Sequence, residues 1–113
     1  MVLKEIYTQM AAEHAEGLSQ VSFVAVCNSF TSFLVNKYGE SYVLNGDNQE
    51  AVSINDDIPV IPFYKEAYVD YISGAMLGKE GKVNDALTRA DDVYKRIWRK
   101  RAKNKHIRKD VWY

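Results

Sequence analysis

The sequence predicts a mainly α fold: a small helical domain with a C-terminal helical hairpin, a short β-hairpin or extended loop, and a basic C-terminal arm. Three observations carry this. Apolar residues recur at i, i+3 and i+4 through most of the chain. Glycines fall where those periodic stretches end. The charge is divided between one end and the rest. At 113 residues, with 47% hydrophobic and 27% charged residues, the chain has the size and composition of one folded domain with one core.

The first helix is expected from Leu3 to Glu16, with Leu3, Ile6, Tyr7, Met10 and Ala11 on one face and Gly17 as its stop. Its stripe is narrow, so it needs a partner to dock on. The second is expected from about Ser19 to Lys37, where Phe23, Val26, Cys27, Phe30, Phe33 and Leu34 keep helical spacing. A strand at Val21 to Val26 competes, because β-branched and aromatic residues favour strands. The period continues through Phe33 and Leu34, which favours the helix.

Gly39 ends that helix. Asn45-Gly46 then separates the short apolar runs Ser41 to Leu44 and Ala51 to Ile54, a pattern that reads as a hairpin or an extended loop over residues 40–62. Asn45, Asp47, Asn48 and Glu50 mimic a calcium loop, but Asp56 stands where the bidentate Glu is needed, so turn chemistry is the better reading.

Pro59 and Pro62 force an extended approach, and Pro62 suits the first position of a helix. Tyr64, Ala67, Tyr68, Tyr71, Ile72, Ala75 and Met76 form its apolar face, opposite Lys65, Glu66, Asp70 and Ser73. Gly78 to Gly81 makes a turn. The last helix returns antiparallel, capped by Asn84 with Asp85 near its N-terminus, and buries Leu87, Ala90, Val93, Tyr94, Ile97 and Trp98.

A net charge of zero conceals a segregation. Residues 1–94 carry six Lys/Arg against fourteen Asp/Glu, a net of minus eight; residues 95–113 carry nine Lys/Arg against Asp110 alone, a net of plus eight. After Trp98 the apolar face stops, and a helix extension is expected to pass into a tail. The division is therefore a domain over 1–103, with the hairpin or loop at 40–62 inserted, and an extended arm over 104–113. The candidate partner-binding residues are Arg96, Arg99, Lys100, Arg101, Lys103, Lys105, Arg108, Lys109, Trp112 and Tyr113. The terminal Val111-Trp112-Tyr113 reads equally as an anchor for a partner's pocket or as a segment folded onto its own core.

Catalytic motifs are missing: there is no phosphate-binding glycine loop, H-E-x-x-H, C-x-x-C or G-x-S-x-G. Asp56-Asp57 and Asp91-Asp92 are neighbours that point apart in regular structure, and read as surface or helix-end charge. Cys27 is the sole cysteine and reads as a buried thiol; His14 and His106 have no partners at metal spacing and read as surface residues. No catalytic residue, metal or cofactor is expected. The longest apolar-rich run, Val21 to Val26, is too short to span a bilayer, and the N-terminus has no signal-peptide pattern, so the chain is expected to stay where it is made, away from membranes. Tyr64, Tyr68 and Tyr71 could stack on bases, but their spacing places them in a core with hydroxyls at its rim. The arm has three readings: a phosphate contact, a contact on an acidic protein surface such as a neighbouring copy's body, or a solvated tail.

From Ile58 to Lys103 the chain resembles small neck proteins of tailed bacteriophages. The residues are Ile58-Pro59-Val60-Ile61-Pro62-Phe63-Tyr64-Lys65-Glu66-Ala67-Tyr68-Val69-Asp70-Tyr71-Ile72, then Gly81-Lys82-Val83-Asn84-Asp85-Ala86-Leu87, then Tyr94 before the basic end. The shared pattern is an extended segment leading to proline, an aromatic-rich helix, a glycine turn and a second helix with a central tyrosine. It covers less than half of the chain, and Leu18 to Leu34 is more apolar than the pattern. The arrangement is similar to that in crAss-like phages, and the resemblance implies a virion structural protein. Such a head-tail connector, adaptor or ring subunit is made in the host cytoplasm, forms a homo-oligomeric ring of about twelve copies, and contacts the portal protein and other neck or tail proteins. Non-specific contact with DNA in the channel is a further implication. The runner-up is a small nucleic-acid-binding regulatory protein that uses Arg96 to Lys109.

Overall fold

The computed structural model describes the backbone of residues 1–13 and 18–109 and the side chains of residues 1–12 and 18–99. Five α-helices follow in order, α1 (Leu3–Glu13), α2 (Gln20–Tyr38), α3 (Glu40–Val43), α4 (Lys65–Leu77) and α5 (Lys82–Lys109), with a 3₁₀ turn at Pro62–Tyr64 leading into α4. The expected stop of α1 at Gly17, and His14, lie outside the described residues.

Ser19 caps α2, its hydroxyl accepting from the Ser22 amide at 3.4 Å. The helical reading of 21–26 holds over the strand. One face of α2 sinks Phe23, Val24, Cys27, Phe30, Thr31 and Leu34 into the core. Each large apolar side chain buried this way contributes about 1.5–3 kcal/mol. The stripe is rotated from the one expected: Thr31 is buried, while Phe33 is 41% exposed. Phe33 stacks on Phe30 from outside, at 6.3 Å between ring centroids. Gly39 ends the helix at φ +98°, a backbone that side-chain-bearing residues rarely adopt.

The hairpin does not form. Ser41, Tyr42 and Val43 belong to the single turn of α3, and Gly46 lacks the positive φ of a type I′ turn. Residues 45–61 are instead a loop whose backbone groups bond to other parts of the chain. Asn45 N–H donates to Pro59 O at 2.7 Å, Ile61 N–H to Val43 O at 2.8 Å and Ile58 N–H to Met1 O at 3.0 Å. The amide of Asn28, on α2, takes both backbone groups of Ala51, donating at 2.8 Å and accepting at 2.9 Å. The Ala51 pair that a hairpin ladder would use is thereby occupied. Ile54, Ile58, Val60 and Ile61 pin the loop to the core.

Pro62 takes the first helical turn, as its fixed φ favours. The face of α4 that meets the core carries Ala67, Tyr68 and Ile72, joined by Tyr64 from the preceding turn. Asp70 and Ser73, expected on the solvent side, are buried because α5 covers them. Ala75 is exposed. Gly78 (φ +65°) and Gly81 (φ +82°) reverse the chain, and α5 returns antiparallel. Asn84 does not cap it: the helix begins two residues earlier, with the Asp85 N–H bonded to Gly81 O at 3.0 Å.

Small residues let α4 and α5 approach closely. Ala86 and Ala90 are fully buried, and a Cβ on Gly74 would lie 2.6 Å from Val83 Cγ2 and 2.8 Å from the Val83 nitrogen. Further along the seam, the carboxylate of Asp70 receives the Arg89 Nε hydrogen bond and lies 3.8 Å from Lys82 Nζ. A polar contact also fixes α2 on α4. Thr31 Oγ1 donates its only proton to Cys27 O at 2.9 Å, so the buried Tyr68 hydroxyl is the donor in the Thr31–Tyr68 hydrogen bond.

Two measurements check these contacts. Gly74→Ala is expected to destabilise the fold by about 1–3 kcal/mol in chemical unfolding, and adding Val83→Ala should recover only part, because the backbone nitrogen still obstructs the new methyl. Thr31→Val, which strands a buried hydroxyl donor, is expected to cost about 1–3 kcal/mol. Tyr68→Phe should cost less, because Thr31 keeps Cys27 O.

Candidate functional site

The basic segment begins inside a helix already fixed to the body. Ala86, Ala90 and Val93 hold α5 against α4. Tyr94 is held from the other side, stacked on Tyr38 at 4.5 Å and meeting Tyr42 edge-on at 5.3 Å. One turn later the body ends. Ile97 is half-buried against the core, and Trp98, expected in the buried stripe, is 51% exposed. From there α5 continues to Lys109, past residue 103, so the segment 104–109 is helical. At 1.5 Å per residue the 28-residue helix is roughly 42 Å long.

Charge at this root is graded. Asp91 accepts from Lys95 at 2.9 Å and from the Tyr38 hydroxyl at 3.5 Å. The Lys95 hydrogen bond holds the Asp91 carboxyl below the usual carboxylate range, and the same bond raises Lys95. Burial, then the charge of Asp91, push Tyr38 up to about 12. Lys37 sits 5.3 Å from the centroid of the Tyr38 ring and 5.7 Å from that of Phe33. Among the described residues the ion pairs along α5 end with Asp91–Lys95.

Arg96 and Arg99 are exposed. With Asp92 and Lys95 they line a shallow groove of about 220 Å³. A second groove, about 210 Å³, runs between α4 and α5 beside Phe63, Glu66, Arg89 and Arg96. Lys100, Arg101, Lys103, Lys105, Arg108 and Lys109 lie on the α5 backbone, and their side chains fall outside the described residues. Trp112 and Tyr113, which carry the anchor and folded-back readings, lie outside the described residues altogether. At 100° per residue, the nine basic positions from Lys95 to Lys109 are distributed around the whole circumference of the helix.

Sequence reading missed two features beside the arm. Phe63 is 61% exposed next to Arg96, and its position directly after Pro62, before the helical period is established, was the available signal. The Tyr38–Tyr94–Tyr42 contact joins residues more than fifty positions apart, and no local pattern announces it.

The remaining candidates are engaged in the fold. Tyr64 donates to Tyr42 O at 3.0 Å, and both Tyr64 and Tyr68 are fully buried, which removes their faces from any base. Asp56 accepts from the Val52 and Ser53 amides at 2.7 and 3.0 Å, which hold its carboxyl low, while Asp57 lies 2.8 Å from the Met1 amino group. Asp91 and Asp92 serve different surroundings, the first at Lys95 and Tyr38 and the second in the arginine groove. Among the described residues no three His, Cys, Asp or Glu side chains gather to hold a metal ion, and no helix is long and apolar enough to cross a membrane.

Cys27 is fully buried, and desolvation pushes its thiol up to about 12. Against an ordinary value of 9.0, the thiolate fraction at pH 8 falls about a thousandfold. A thiol reagent is therefore expected to label the folded protein at least about a hundredfold more slowly than the denatured chain. The raised pKa is a linkage to stability: its contribution is complete below pH 9 and is lost as pH rises toward 12, so alkaline unfolding in that window should shift upward in Cys27→Ala relative to its own neutral-pH stability.

No protein-family model matches the chain, and comparisons with curated proteins and with solved structures find no match, so its function is argued from its own residues and from the resemblance over Ile58 to Lys103.

Proposed function

We propose that the chain is a non-enzymatic virion structural protein, a head-tail connector subunit that forms a ring in the neck of a tailed phage and links portal to tail. The observation that carries the reading is the single helix α5, which is anchored on the body at Ala86, Ala90 and Val93 and carries nine basic residues from Lys95 to Lys109 away from it. A rigid element that presents charge to a second molecule suits an assembly subunit better than a chemical catalyst. The hairpin of α4 and α5, introduced by Pro62 and turned by two glycines, agrees with the helical pattern that the resemblance implies. The portal and adjoining neck or tail proteins are the proposed partners, in a ring of about twelve copies.

The second reading, a small nucleic-acid-binding regulatory protein, is favoured by the spread of cations around the whole helix. Phosphate contact would make binding fall steeply with salt, by roughly 0.9 logarithmic units per neutralised phosphate for each tenfold rise in salt.

Purified chain mixed with an assembled portal from a phage of this kind and imaged by electron microscopy should show added twelve-fold density beneath the portal. No added density on an intact portal, together with salt-sensitive DNA binding by a monomer, would transfer the assignment to the second reading.

A further inference from the structure

The body's negative charge is not spread evenly along the chain. Residues 38–64 contain Glu40, Asp47, Glu50, Asp56 and Asp57 and not one Lys or Arg. Asp56 is spent on the loop's own amides and Asp57 on the Met1 amino group, but Glu40, Asp47 and Glu50 are exposed. Asp47 and Asp57, with Asn45 and Gln49, line a cleft of about 370 Å³ floored by Ile58, Pro59 and Val60.

Helix continuity decides how the arm's charge can be neutralised. A helix fixed at Val93 recedes from that anchor at 1.5 Å per residue, so positions 99 to 109 lie roughly 9 to 24 Å beyond it. The arm cannot turn back onto its own loop without breaking α5, and the last ion pair that α5 makes among the described residues is Asp91–Lys95. A second copy supplies the missing surface. Its residues 38–64 present Glu40, Asp47 and Glu50 at exposed positions, and chain for chain the plus eight of one end equals the minus eight of the rest.

We propose that the basic end of α5 from one copy docks on the acidic 38–64 segment of the next, over the cleft that Asp47 and Asp57 line. The contact is heterologous, so it repeats from copy to copy and closes wherever the rotation allows. It rests on the arm being an interaction element, as proposed above, and is independent of the portal.

Sedimentation velocity of the full chain at about 50 mM and about 500 mM salt tests it. The wild type is expected to associate at low salt and dissociate at high salt. The arm variant Arg96→Glu/Arg99→Glu and the acid variant Asp47→Lys/Glu50→Lys, all at exposed positions, should each weaken self-association at least about tenfold. Helical circular dichroism should be unchanged in both. An equimolar mixture should regain association, because the acid variant's intact arm meets the arm variant's intact loop. A wild type that is monomeric at low salt, an acid variant that associates like wild type, or a mixture that stays dissociated would each overturn the docking. A wild-type monomer whose arm binds a DNA duplex would assign the arm to nucleic acid instead. Self-association that survives while portal binding fails would leave the docking standing and remove the neck assignment.

Discussion

The direction of α5 depends on how closely it can lie against α4. Gly74 leaves no side chain in the way of Val83, Ala86 and Ala90 present only methyl groups, and the Asp70 carboxylate is gripped by Arg89 and flanked by Lys82. A larger residue at position 74 would open the seam at the hairpin end and tilt α5 about its remaining contacts. Over a helix of roughly 42 Å, a tilt of about 10° moves the far end by roughly 7 Å. The arm's position is therefore decided at the opposite end of the helix from its charges. The buried carboxylate acts on the same seam. Removing Arg89 is costlier than the pair is stabilising, because the Asp70 carboxylate stays desolvated, whereas the exposed Arg89 would hydrate if Asp70 were removed.

The loop between α3 and α4 shows another way of meeting backbone hydrogen-bond demand. Seventeen residues without a strand would ordinarily bury unpaired amides. Here the contacts are single and scattered: Val43 and Asn45 on one side, Met1 on another, Asn28 beneath and the Asp56 carboxylate within. Asn28 is decisive because its amide copies one rung of a ladder, with a donor and an acceptor facing the two groups of Ala51. That rung is filled from α2, and residues 41–43 are held in α3. The loop is thus tied to the helical body, and its carboxylates are held at a fixed place on the surface.

The helices were legible because their period is local: α2 and α4 appear in the sequence within a few residues of their bounds, as does the start of α5, and Gly39, Pro62, Gly78 and Gly81 do what their backbone preferences dictate. The misreadings share one cause, which is that a helix's period gives its stripe but not the extent of its neighbours. Phe33 was read into a stripe that the packing rotates toward Thr31, and Trp98 continues its stripe in phase and still reaches solvent. Asp70 and Ser73 looked like a solvent face, and were covered by a helix whose approach depends on Gly74, a residue the periodic reading passed over. Over 40–62 a hairpin or an extended loop was expected, and the loop is the one that forms, with Ala51 paired to Asn28, a residue no local pattern connects to it. Of the candidate site, the start of the charge segregation near Lys95 was legible, as was its position within a helix; the tyrosine clasp that holds the helix was not.

Charge segregation within one continuous helix has a consequence that segregation across a flexible linker would not have. A flexible basic tail can collapse onto an acidic body, neutralise it and remain monomeric. A helix anchored at Ala86, Ala90 and Val93 cannot do so without losing its backbone hydrogen bonds or its packing. Nine like charges along roughly 22 Å of helix from Lys95 to Lys109 also repel one another and weaken that helix in isolation. An external source of negative charge would remove both costs together, by screening the repulsion and rewarding the helical geometry. Binding and helix stability are then coupled with the same sign, and hydrogen exchange at the amides of residues 99–109 should slow on assembly while that of α4 stays unchanged.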